Sequence, residues 1–131
     1  MSKARDICDM EETQVAKTWI NFNGFASNSP FTEDNGSIRS SLNVTSVTDN
    51  DTGDYTVNFT TPFASKNYVW AGSAGEGYDT TAINSTPAVF NVRSAVVNTD
   101  TFRFYCSHSS SSVHGKLDRE CITILFFGEL S

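Results

Sequence analysis

Two runs of alternating apolar and polar residues meet at one acidic, glycine-containing turn, and this constrains the chain more than any other feature. Ile38, Leu42 and Val44 share one parity, and Tyr55, Val57 and Phe59 share another. Between them lies Thr48-Asp49-Asn50-Asp51-Thr52-Gly53. Asp and Asn bond their own backbone in turns, and Gly takes positive φ freely. Two period-two runs around such a turn predict a β-hairpin from Ser37 to Thr61, with Asp49, Asn50, Gly53 and Asp54 as its structural turn.

The rest of the chain reads the same way. Val15 to Phe22 alternates as a strand, and Gly24 to Gly36 is a loop. Asn67 to Ala71 is a short strand, followed by a loop over Gly72 to Pro87 that contains Tyr78. Val89 to Val97 and Thr101 to Cys106 are strands joined by Asn98-Thr99-Asp100, with a Ser-rich loop from Ser107 to Ser112. The nearly continuous apolar run Ile122 to Phe127 predicts a closing strand covered on both faces. Roughly seven strands with short turns predict an all-β, antiparallel β-sandwich or jelly-roll-like domain over 15–131. Residues 1–14 carry mixed charge and little apolar content, and form a short N-terminal arm, the candidate attachment segment with Ile7 and Met10 as its contacts.

Fifteen acidic residues against nine basic ones give a net charge of −6. That charge repels a phosphate backbone, and no Lys/Arg cluster offsets it, so nucleic acid is excluded as a partner. No run approaches the length that spans a bilayer, and the N-terminus carries no apolar leader. Synthesis in a reducing cytoplasm follows, and Cys8, Cys106 and Cys121 do not form a secreted disulfide framework.

Chemistry is sparse. Cys106, Cys121, His108 and His114 are the proper residue types for zinc, but their spacing matches no zinc pattern. Cys106 with His114 as nucleophile and base lacks an identifiable oxyanion donor. The acidic turn lacks the distal Glu and flanking helices of a helix–loop–helix calcium site. No pair of carboxylates stands out for glycoside cleavage, and no cofactor is expected. Phe31, Trp70 and Tyr78 lie in or beside loops, where exposed aromatics anchor interfaces or stack on sugars. For Trp70, core packing competes with that role.

The segment Ala16 to Gly24 (AKTWINFNG) resembles the "KAWVNFNG" opening of a module in tail fibres and related virion proteins of tailed bacteriophages, marine phages and cyanophages especially. Ile38 to Thr60 is similar to that family's "IRxSxNVSSVTDNGTGDYTVNFT". Asn67-Tyr68-Val69-Trp70 matches its "ANYxV" strand, and Ile122 to Gly128 its closing "VxVxVFG" strand. The likeness covers most of residues 16–128. It implies a non-enzymatic structural protein of the virion, a homotrimer among other virion proteins, with no activity to carry over. The family module ends a long fibre, whereas fifteen residues precede it here. The expectation is therefore a small tail-fibre-like appendage attached through its own surface. The alternatives are a capsid decoration protein and a module that binds host-surface carbohydrate.

Overall fold

The computed structural model describes residues 15–75, 88–108 and 115–131. These residues form eight strands: β1 (Thr18–Phe22), β2 (Ile38–Leu42), β3 (Val44–Asp51), β4 (Asp54–Phe59), β5 (Val69–Gly75), β6 (Ala88–Val97), β7 (Thr101–His108) and β8 (Cys121–Phe127). They assemble into two four-stranded antiparallel sheets, ordered β2-β1-β8-β5 and β3-β4-β7-β6. The β-sandwich expected from the alternation is the fold. Ile7, Met10, Tyr78 and His114 lie outside the described residues.

Alternation decides what fills the space between the sheets, because successive strand side chains point to opposite faces. The first sheet contributes Ile20, Phe22, Ile38, Ile122, Ile124 and Phe126, all buried. The second contributes Val47, Tyr55, Val57, Phe59, Phe102, Phe104 and Cys106. Aromatic rings form a connected net across this interior. Phe22 meets Tyr55 edge-on at 5.3 Å, Phe102 meets Phe126 edge-on at 5.0 Å, and Phe63 stacks on Tyr68 at 4.3 Å between centroids. Edge-to-face and offset contacts of this kind add to the stabilisation from burial.

The hairpin differs from the expected one in its first arm. Only β3 and β4 form it, closed by Thr52-Gly53 between the paired Asp51 and Asp54. Ile38–Leu42 instead pairs with β1 in the opposite sheet. The switch occurs at Asn43, which sits at φ 60°. Asn tolerates this left-handed conformation, and one such residue turns the chain from one sheet into the other. Within β2 the register shifts between the Phe22–Ile38 and Asn21–Ser40 pairs, a bulge at Arg39 that breaks the parity of Ile38 and Leu42, so Leu42 is 47% exposed while Ile38 is buried.

Two further expectations are corrected. Gly72 to Gly75 is strand, because β5 runs to Gly75 in unbroken register with β8. A ladder needs backbone groups only, so small residues at a sheet edge pair without side chains to pack. Phe31 is fully buried and is not a surface contact residue. Its N–H and carbonyl exchange hydrogen bonds with Val47 at 2.8 and 3.0 Å, which draws the 24–36 loop against the edge of β3 and seats the ring beside Phe22 and Tyr55.

Candidate functional site

The acidic turn is tied into the structure by its own polar groups. Asp54 accepts hydrogen bonds from Arg103 Nε and Nη2 at 2.8 and 3.0 Å and from Lys116 Nζ at 2.8 Å. The Arg103 hydrogen bonds, with Lys116 behind them, hold the Asp54 carboxyl down at about 2 against the cost of its burial. Asn50 Nδ2 donates to Thr56 Oγ1 at 2.8 Å, and Asp51 Oδ1 accepts the Thr52 N–H at 2.8 Å. Gly53 has φ 65°, gives its N–H to Asp118 Oδ1 at 2.7 Å and accepts the Cys106 N–H at 2.8 Å. Asp118 Oδ1 also lies 2.5 Å from the Tyr55 hydroxyl. Burial first, and Asp118 second, push that phenol well above its usual range. Asp49 is raised by partial burial and by its neighbours Asp118, Asp51 and Asp54. These contacts join β4, β7 and the 115–120 segment, and most of the turn's polar groups are spent on them.

Cys106 is fully buried, and burial pushes its thiol up to about 12. A thiol so placed stays protonated near neutrality, which removes it as a nucleophile. Among the described residues, no group of three or more His, Cys, Asp or Glu side chains is placed to hold a metal ion. Trp70 is half-buried and points inward, with its ring 5.1 Å from Phe102 and 6.1 Å from Tyr68. It belongs to the core and is not a surface contact.

The outer faces of the two sheets differ in chemistry. On the second sheet, Asn58 Nδ2 donates to Ser46 Oγ and Thr48 Oγ1 at 3.1 Å each, and Thr45 and Thr60 hydroxyls meet at 3.0 Å. That face is polar and internally bonded. On the first sheet, register places Leu42, Trp19, Leu125 and Ala71 side by side across all four strands. Phe127 and Val69 form the next apolar pair. Leu125 is 45% exposed and Val69 64% exposed. Among the described residues, β8 is therefore covered on its inner face only, contrary to the expectation of two covered faces.

Beside the apolar row runs a polar one: Ser40, Asn21, Thr123 and Ser73. The hydroxyls of Ser73 and Thr123 meet at 3.0 Å, and Asn21 Oδ1 accepts from Arg39 Nη1 at 3.4 Å. Over these two rows lies a shallow groove of about 520 Å3, lined by Trp19, Asn21, Ala71, Ser73, Thr123 and Leu125 with the strand backbones beneath. Comparison of the chain with protein-family models, with curated proteins and with solved structures finds no match. The groove therefore has to be read from its own chemistry: an indole wall, a hydroxyl pair, a carboxamide and no charged side chain.

Trp19 was the residue to find. Parity carries the signal, because Thr18, Ile20 and Phe22 share one face of β1, and all three are buried. Trp19 and Asn21 must then take the other face. What parity leaves open is whether anything covers that face, since a loop or helix packed on it would make Trp19 a core residue.

Proposed function

We propose that the protein is a non-enzymatic structural component of a bacteriophage particle, a small tail-fibre-like appendage that engages a partner through the outer face of its first sheet. One observation carries the reading. The two segments at the ends of the phage-module resemblance, in β1 and β8, lie side by side at the centre of this sheet and turn Trp19 and Leu125 outward. Neither residue serves the core between the sheets. An apolar row left open on a surface otherwise rich in Ser, Thr and Asn marks a contact site.

Mass spectrometry of purified particles is expected to find the protein, and cryo-microscopy to place it on the tail. Absence from the particle would sink the reading. A copy on every capsomer would move it from appendage to capsid decoration. The resemblance also implies a homotrimer, which light scattering on the purified chain tests directly.

A further inference from the structure

We propose that the groove over Trp19 binds a neutral polysaccharide chain of the host-cell surface. This rests on reading the domain as a particle's attachment module, and it assigns the partner of that same face. The indole of Trp19 offers an apolar plane of the kind on which the C–H face of a pyranose stacks. Next to it, the sugar's hydroxyls meet groups that both donate and accept. The Ser73–Thr123 pair shares one hydrogen, which leaves a second hydroxyl hydrogen and several lone pairs for a ligand. Asn21 spends Oδ1 on Arg39, and its Nδ2 is a donor by chemistry.

Charge and size choose between occupants. No charged side chain lines the groove, although the chain carries −6. A neutral ligand suits such a lining: the Arg39 guanidinium on Asn21 is itself paired with Glu120 at 3.8 Å, and the whole molecule repels an anion. The volume of about 520 Å3 suits a ligand of a few rings. A second copy of the chain fits less well. One apolar row across four strands and a pair across two project to roughly 200 Å2 at ordinary strand spacing. A stable protein interface takes about 800 Å2 from each partner, around an apolar centre. Here the adjoining row is hydroxyl and amide. The groove is also open to solvent along the sheet, so internal units of a chain can lie in it.

The test uses the full chain and three neutral probes: cellohexaose, mannohexaose and chitohexaose. In a Trp70→Phe variant, Trp19 is the only tryptophan, so its emission reports the groove. At least one hexasaccharide is expected to shift that emission saturably, with the matching monosaccharide binding about tenfold more weakly. By calorimetry on the otherwise unaltered chain, Trp19→Ala is expected to lower affinity about tenfold or more. Ser73→Ala, at an exposed strand position that needs no refolding, is expected to lower it about threefold. The proposal is overturned if none of the three probes binds at about 10 mM, or if both variants bind as the parent does. It is also overturned if the chain self-associates and Trp19→Ala and Leu125→Ser abolish that association, which assigns the face to a second copy. Each of these results leaves presence in the particle to be decided separately by mass spectrometry, so the two readings fail independently.

Discussion

The side-chain amide of Asn43 bonds the backbone of Thr61 on both sides: Oδ1 accepts the Thr61 N–H at 2.7 Å, and Nδ2 donates to the Thr61 carbonyl at 3.0 Å. The same Nδ2 reaches Thr18 Oγ1 at 2.9 Å. One residue thus turns the chain between sheets and ties that corner to the strands on either side. Asn43→Ala is expected to cost about 3 kcal/mol, from a left-handed backbone that Ala resists and from two or three lost hydrogen bonds. Asn43→Gly keeps the backbone at ease and loses the bonds plus about half a kcal/mol of unfolded-chain entropy, which is less than the left-handed penalty on Ala, so it should be the milder change. Urea unfolding of the two variants checks the order. Equal losses would show that the φ of 60° costs no more than about half a kcal/mol.

Gly53 and Gly36 separate conformation from crowding. Both have positive φ, 65° and 77°. A Cβ on Gly53 would sit 2.5 Å from the Leu117 carbonyl oxygen and 2.6 Å from the Leu117 nitrogen, whereas a Cβ on Gly36 meets nothing within 4 Å. Gly36→Ala is expected to cost about 1 kcal/mol, the backbone penalty alone. Gly53→Ala adds a clash with backbone that cannot swing aside, for about 3 kcal/mol or more in total. Thermal unfolding of both variants measures the difference.

Asp54 sets an acid limb of stability. Its carboxyl is held at about 2 in the folded chain against an ordinary 3.8. A depressed carboxylate favours the folded state above the unfolded pKa, and that advantage fades as pH falls from about 4 to about 2. Arg103 and Lys116 are partly exposed, so screening trims the contribution to about 1–2 kcal/mol. Asp54→Asn should lower stability at pH 7 and flatten the fall between pH 4 and pH 2. An unchanged acid limb in that variant would assign the limb to other carboxylates.

Asp49 works in the opposite direction. Partial burial and three neighbouring carboxylates raise its pKa, so ionising it opposes folding at neutral pH. Asp49→Asn is expected to stabilise the protein at pH 7 by a few tenths of a kcal/mol, since the side chain is exposed and well screened. The part of the gain that comes from Asp118, Asp51 and Asp54 should shrink in high salt, while the part that comes from partial burial of Asp49 should persist. A gain wholly unchanged in 1 M salt would show that the neighbouring carboxylates contribute nothing.

The fold was legible where period-two alternation is backed by turn chemistry. The stretch from Val44 to Phe59 shows both, and it is the hairpin β3–β4. Asn43 was not legible, because a single Asn inside an alternating run reads as one more polar strand residue, and its φ depends on which strand each side joins. Phe31 lies among Gly, Asn, Pro and Asp, and local composition places it in a loop. Its burial comes from the bridge to Val47, sixteen positions later in the chain. Gly72 to Gly75 lacks the side chains that mark strands, and its pairing with β8 is a contact far along the sequence. The site shows the same division. Trp19's parity was visible within β1, but that it lies half-buried on the outer face, beside the exposed Leu42 and Leu125, follows only from the assembled sheet.

Alternate residues of β8 make the most direct test of the open face. Ile124 is buried between the sheets, and Leu125, one residue on, is 45% exposed on the outside. Ile124→Ala removes a buried side chain and leaves a cavity, and is expected to cost about 2–4 kcal/mol. Leu125→Ala removes a side chain that water already reaches, and should cost under about 1 kcal/mol. A strand covered on both faces would instead lose stability about equally at the two positions. Denaturant unfolding at low protein concentration distinguishes these outcomes. If the Leu125→Ala loss grows as concentration rises, the missing cover is a second copy of the chain. If it stays small at every concentration, the face is free in the isolated protein and available to a ligand.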